Sequence, residues 1–193
     1  MIDKLLAATA QLMRDYRHDW AFCGGWALDL YLNRVTRDHK DIDIAVWRKD
    51  QRSIGKYLRR RGWKMEITHQ GSFSAWDVNE FIELPRHTVW CRHETHDPDF
   101  VELLFNEADE THFKFRRDPT ITHALEQAII DTPGGYRVLA PEIVLLYKSL
   151  ESTRDHNQDD FDMTYPYLSD IQRNWLKDAL HKRNNQHEWL KVL

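Results

Sequence analysis

Disulfide frameworks, zinc motifs and membrane-spanning runs are all missing from this sequence. Its two cysteines, Cys23 and Cys91, are too few and too far apart for a structural bridge pattern or a metal-binding cysteine motif. No apolar run approaches the ~18–20 residues that cross a bilayer, and no charged-then-apolar leader opens the chain. A soluble, cytoplasmic protein with no membrane partner is expected. An excess of charge of one sign is lacking too: 27 basic against 31 acidic side chains leave a formal charge of −4. No global basic field therefore argues for nucleic acid as an obligatory partner. Internal repeats and low-complexity tracts are absent. The 193 residues suffice for one sizeable core, or for one α/β domain with a small appendage.

The informative stretch runs from Phe22 to Val46, FCGGWALDLYLNRVTRDHKDIDIAV. Trp20–Cys23 is a brief apolar run that reads as a strand, stopped by Gly24-Gly25. Residues from Trp26 to Leu32 follow at helical spacing. Two glycines let the backbone approach a ligand closely, and a helix N-terminus offers free N–H groups with a partial positive charge. That combination suits a phosphate. Asp41 and Asp43 then sit two apart on the alternating segment Asp41–Val46, so a strand there projects both carboxylates to one face and Ile42 and Ile44 to the other. Paired hard oxygens of this kind hold Mg²⁺, and two ions ~3.5–4 Å apart assist phosphoryl chemistry. Either feature alone is commonplace; their order and spacing are not.

Residues GGW-A-L-D followed by R-V-T-R-D-H-K-D-I-D-I resemble the signature of the DNA polymerase β-like nucleotidyltransferases. More narrowly they resemble the aminoglycoside and lincosamide adenylyltransferase branch, where a GGW turn precedes T-R-x-H-x-D-I-D. The resemblance implies an α+β fold, a mixed β-sheet nucleotidyltransferase core with flanking helices and a small C-terminal helical region. It also implies a third acid on a later strand. Glu102, interrupting the apolar run Asp99–Phe105, matches that position, with Glu where many relatives have Asp. The catalytic and metal-binding set implied is Asp41, Asp43 and Glu102. The nucleotide-binding set implied is Gly24, Gly25, Trp26, Arg34, Arg37 and Lys148. Relatives often carry a lysine and an aspartate just before the D-F that corresponds to Asp160-Phe161; this chain has His156 and Asn157 there.

The remaining pattern predicts a first amphipathic helix within Met1–Arg17 that uses Ile2, Leu5, Leu6, Leu12 and Met13. A helix over Asp50–Arg61 ends at Gly62, leaving Arg59, Arg60 and Arg61 as its solvated end. A strand follows over Trp63–Thr68, with a turn at Gly71-Ser72. Residues 75–96 read as a hairpin or loop carrying Arg86, His87 and Trp90, broken at Pro85. His93-Glu94-Thr95-His96 lacks the spacing that puts two histidines on one helical face, and reads as a polar loop. A hairpin turns around Pro133-Gly134-Gly135, and Pro141 opens a helix bearing Lys148. Residues 153–158 read as a polar linker, and three helical pieces complete the chain, the second capped by Ser169.

The expected organisation is a nucleotidyltransferase core over residues 1–140 and a helical region over 141–193. The expected function is Mg²⁺-dependent transfer of a nucleoside monophosphate, AMP by preference, from ATP or another nucleoside triphosphate to a hydroxyl of a small molecule, releasing pyrophosphate. An aminoglycoside- or lincosamide-like acceptor is the favoured partner. A toxin-like transferase acting on tRNA or protein, and a nucleotide-binding module without turnover, are the alternatives. A homodimer would be one way to complete a site on so short a chain.

Overall fold

The computed structural model describes residues 4–151 and 156–193; Ile2 and residues 153–155 of the expected linker lie outside them. In chain order the elements are α1 (Lys4–Met13), β1 (Trp20–Phe22), α2 (Gly24–Leu32), β2 (Asp43–Trp47), α3 (Gln51–Arg59), β3 (Lys64–His69), β4 (Ser72–Ala75), β5 (Thr88–Arg92), β6 (Phe100–Ala108), β7 (His112–Lys114), β8 (Thr122–Ala124), α4 (Leu125–Ala128), β9 (Ile129–Asp131), β10 (Arg137–Leu139), α5 (Pro141–Lys148), α6 (Asn157–Thr164) and α7 (Asp170–Arg183). One mixed sheet runs β4-β3-β5-β6-β2-β1-β10-β9, with β7 and β8 leading off β6. Among the described residues only β2–β6 and β1–β10 pair in parallel. No helix among the described residues is long and apolar enough to cross a membrane.

Alternation decides which face each strand buries. Val89, Cys91, Val101, Leu103 and Phe105 are fully buried. Phe105 meets Trp76 edge-on at 5.8 Å. On this side α3 lies against β2 and β3, and α1 docks on α3 where the Tyr57 hydroxyl donates to the Leu12 carbonyl. The opposite face carries Asp43, Glu102, Trp90 and Glu66. Its β1–β2 side is covered by α5 and by the chain after β7: Phe115 packs on Tyr147 at 4.8 Å, and Phe113 lies 6.5 Å from Trp47. Its β5–β3–β4 side is open, with Phe73 at 52% exposure. The acids therefore stand at the boundary between covered and uncovered sheet.

Several local expectations shift. Asp41 is not in the strand but in the bend before it, because β1 stops at the glycine turn and cannot pair with anything before Asp43. Trp90, expected in a hairpin or loop, is on a strand. It sits in the middle of β5, paired on both sides, and its outward bulk is what makes the stretch look irregular. The turn near Gly71 is a two-residue hairpin, Gln70 (φ 49°) and Gly71 (φ 77°), a pair of left-handed residues that matches the twist of its flanking strands. It leads into β4, a strand the sequence did not announce. The helix expected from Asp160 begins three residues earlier, at Asn157. The Pro133 hairpin forms as β9 and β10. Ser169 makes a full capping box with Gln172.

Candidate active site

The site begins where β1 ends. The Cys23 N–H donates to the Asp43 carbonyl at 3.0 Å, which locks the glycine turn beside the first residue of β2. Gly24 has φ +62°, and a Cβ there would fall 2.0 Å from the Asp43 carboxylate. A Cβ on Gly25 would strike the Arg37 guanidinium at 2.3 Å and the His39 ring at 2.5 Å. Both glycines are thus required by close approach. The helix they open, α2, has no side-chain cap at its N-terminus, so the N–H groups of its first turn face the cleft with their partial positive charge.

Across the sheet, Asp43 stands opposite Glu102 in the parallel β2–β6 pair. Burial raises the Asp43 carboxyl to about 7, helped by Glu102 and Asp41 and opposed by Lys148 and Arg37. Burial also raises Glu102 to about 7, with Asp41 adding to the effect, while a hydrogen bond from the Trp90 side chain pulls the other way. Asp41 is exposed at the rim. A cleft of about 480 Å³ gathers Gly24, Gly25, Trp26, Arg37, Asp41, Asp43, Glu102 and Lys148. A smaller cavity of about 240 Å³ continues it on the α5 side, sharing Gly24, Leu104, Lys148 and Asn157 and adding Arg116 and Arg117. Cys23 borders this cavity, but burial and then Asp43 push its thiol well above the ordinary range; it is no nucleophile.

Two cations in the cleft are held by one buried acid. Asp160 accepts from Arg37 Nε at 3.1 Å and Nη2 at 3.2 Å, and pairs with Lys148 Nζ at 2.6 Å. Burial works to raise the Asp160 carboxyl, yet Arg37 and Lys148 outweigh it and hold it below its usual range. Asn157 steadies the same lysine: its Oδ1 accepts from Lys148 Nζ at 3.2 Å, and its amide donates to the Lys148 and Glu151 carbonyls. His156 is exposed and lines the cleft. The loop bearing Arg37 is pinned from below. Asp29, 3% exposed, accepts from the Thr36 N–H at 3.1 Å, the Thr36 hydroxyl at 2.5 Å and His39 Nε2 at 2.7 Å. The His39 ring rests on Trp26, 4.3 Å between centroids. Arg34 is not among the residues lining the cleft: its guanidinium lies over the Tyr167 ring.

A model of the aminoglycoside-2''-adenylyltransferase family matches residues 5–131. The chain belongs to that family. It is accordingly a nucleotidyltransferase, and the glycine turn, both aspartates and Glu102 all fall inside the matched segment. Among curated proteins no sequence matches significantly. The fold is that of solved adenylyltransferases. The solution structure of the antibiotic-resistance factor ANT(2'')-Ia is 13% identical with a TM-score of 0.61, covering 94% of this chain and 91% of that one. The crystal structure of ANT(2'')-Ia with adenylyl-2''-tobramycin is 16% identical with a TM-score of 0.56, covering 93% and 94%. The lincomycin-bound lincosamide adenylyltransferase LnuA is 17% identical with a TM-score of 0.54, covering 93% and 96%.

Within this family member, Asp160, Asn157 and Asp29 hold the site through contacts that the sequence does not display. The Asp160-Phe161 pair was a visible signal, but nothing in one sequence says that an acid 123 residues after Arg37 closes on it. Asp29 reads from sequence as a surface or nucleotide-facing acid; it is instead the buried acceptor that shapes the loop.

Proposed function

We propose that this protein transfers AMP from ATP to a hydroxyl of an amine-bearing, aminoglycoside-like small molecule, releasing pyrophosphate. One observation carries the reading. Two neighbouring half-buried carboxylates, both raised to about 7, share a cleft with an uncapped glycine helix start and two oriented cations. Acids gathered at such a cost in burial and mutual repulsion belong where a cation relieves them.

Asp41, Asp43 and Glu102 fit a hard divalent ion, being all oxygen donors. No three acidic, histidine or cysteine side chains among the described residues stand ready as a cage. A Mg²⁺ ion there would draw its remaining ligands from water and substrate phosphates. When bound, such an ion neutralises charge developing on the transferring phosphoryl group and on pyrophosphate. The chain's own groups do the rest. The α2 N–H groups, Arg37 and Lys148 bind the β- and γ-phosphates and fix the α-phosphorus beside the acids. Glu102, on the side facing the open sheet, takes the proton of the acceptor hydroxyl as its oxygen bonds to the α-phosphorus and the bond to the β-phosphate oxygen breaks.

Thermal unfolding with each nucleoside triphosphate, with and without Mg²⁺, tests the reading against an Asp41→Asn, Asp43→Asn double variant. A ligand that binds the native state raises the midpoint by mass action. The expected result is a Mg²⁺-dependent rise with ATP that the double variant loses, followed by pyrophosphate release when an acceptor is added. No rise at millimolar triphosphate sinks the donor assignment.

A further inference from the structure

Behind Lys148 the cleft leads into the second cavity, about 240 Å³ between the sheet and α5. Arg116, Arg117 and Tyr147 line this cavity and not the cleft, whereas Arg37 and the three acids line the cleft and not the cavity. Gly24, Leu104, Lys148 and Asn157 border both. The cavity floor is buried, at Cys23, Leu139 and Val144. Its rim is exposed, at Arg117, Leu150 and Glu151. It therefore joins the glycine turn to solvent without passing the acids.

Charge and donors decide what fits there. Three cations, Arg116, Arg117 and Lys148, meet one carboxylate, Glu151. Lys148 is paired with Asp160, but neither arginine is ion-paired among the described residues, and Arg116 is laid over the Tyr147 ring at 4.5 Å. Arg116 Nε and the Tyr147 hydroxyl are both buried with no hydrogen-bond partner, a costly state that a ligand oxygen would relieve. The positive field extends to His87, pushed down to about 4 by burial first and then by Arg116, with Arg117 and Arg48 adding to it. A nucleobase fits poorly, because the Tyr147 ring already packs on Phe115 at 4.8 Å and under Arg116. The volume also falls below the ~300–1,000 Å³ of pockets that hold drug-sized ligands. A small oxyanion of high charge matches the lining.

We propose that this cavity is a second oxyanion site, separate from the one that holds the β- and γ-phosphates, and that it receives inorganic pyrophosphate from the cleft. Arg116, Arg117 and the Tyr147 hydroxyl bind the ion there, and Lys148, on the border, serves both positions. The inference rests on the function proposed above. When the bond from the α-phosphorus to the bridging oxygen breaks, its electron pair stays on pyrophosphate, and the added charge favours the two unpaired arginines. The product then leaves on the side away from Glu102 and the acceptor.

Calorimetry with inorganic pyrophosphate and Mg²⁺ tests this, on the free protein and on protein loaded with the non-hydrolysable analogue α,β-methylene-ATP. With the donor position filled, the wild type is expected still to bind one pyrophosphate. Arg117→Gln, at an exposed position, and Tyr147→Phe, which removes only a hydroxyl, should each weaken that binding about tenfold, the loss of one charge-assisted hydrogen bond. Arg116→Gln should weaken it at least as much. All three should bind the analogue within twofold of wild type. Loaded wild type that takes up no pyrophosphate, or binds it with an affinity indifferent to all three substitutions, overturns the second site even where the analogue binds normally. Failure of the analogue to bind overturns the donor assignment instead, and the free protein, titrated with pyrophosphate alongside the same variants, then decides the cavity by itself.

Discussion

Asp43 shows what a single carboxylate does when the fold places it beside a glycine turn and opposite another acid. Its folded value near 7 lies well above the ordinary value for an unfolded aspartate, near 4. The folded protein therefore holds more protons than the unfolded chain between about pH 4 and 7. The favourable contribution is complete below that window and is lost as pH rises through it. In metal-free buffer at pH 8, Asp43→Asn should accordingly be more stable than wild type. The gap is about 1–2 kcal/mol once partial exposure is discounted, and it narrows toward pH 4. Chemical unfolding in EDTA across that range checks it. Identical stabilities at pH 8 would show that the carboxylate carries no repulsion. Mg²⁺ should reverse the order, since the wild type offers the ion three acids and the variant two.

At the scale of elements, the sequence was most legible where chemistry is local. The Gly24-Gly25 turn, the start of α2 and the two aspartates lie within one short segment, so spacing alone brings them together. Glu102 was legible because one acid in an apolar run must answer for its burial. The pairing of Trp90 with Glu66 and Glu102 was not legible, because β5 and β3 are brought beside β6 by register, and β4 has no period that a single chain displays. Asp160 was hidden for the same reason: α6 reaches back over the cleft from far along the chain. Its role yields a prediction. With Asp160→Asn the amide holds neither Arg37 nor Lys148 as a charge does, so both cations lose their fixed aim at phosphate. The KM for ATP should rise about tenfold while the tobramycin KM stays within twofold. Asp160→Glu should restore part of the loss. An unchanged ATP KM in Asp160→Asn would reduce Asp160 to a structural ion-pair partner.

For the molecule as a whole, the residues after 140 differ in architecture from those before, yet they are built into the same core. Six consecutive residues of α5, Pro141–Leu146, are buried, and Ile143, Leu145 and Leu146 are fully so. Each such side chain contributes about 1.5–3 kcal/mol, so α5 alone weighs against a whole-domain stability of about 5–15 kcal/mol. Its neighbours are α2, β10, α6 and α7. The last segment is fastened to it in turn, through His187 Nε2 on the Ser149 carbonyl at 3.1 Å and the Trp189 ring stacked 4.1 Å from Phe161. Detaching this end would uncover Phe115 beside Tyr147 and take Lys148 and Asp160 out of the cleft. The helical end and the sheet should therefore unfold together. Calorimetry of the full chain is expected to give one transition whose calorimetric and van't Hoff enthalpies agree. A fragment ending at residue 140 is expected to lack a cooperative melt and to show no response to Mg²⁺–ATP. Two resolved transitions, or a folded fragment that binds the nucleotide, would show that the helices are an accessory to the site and not one of its walls.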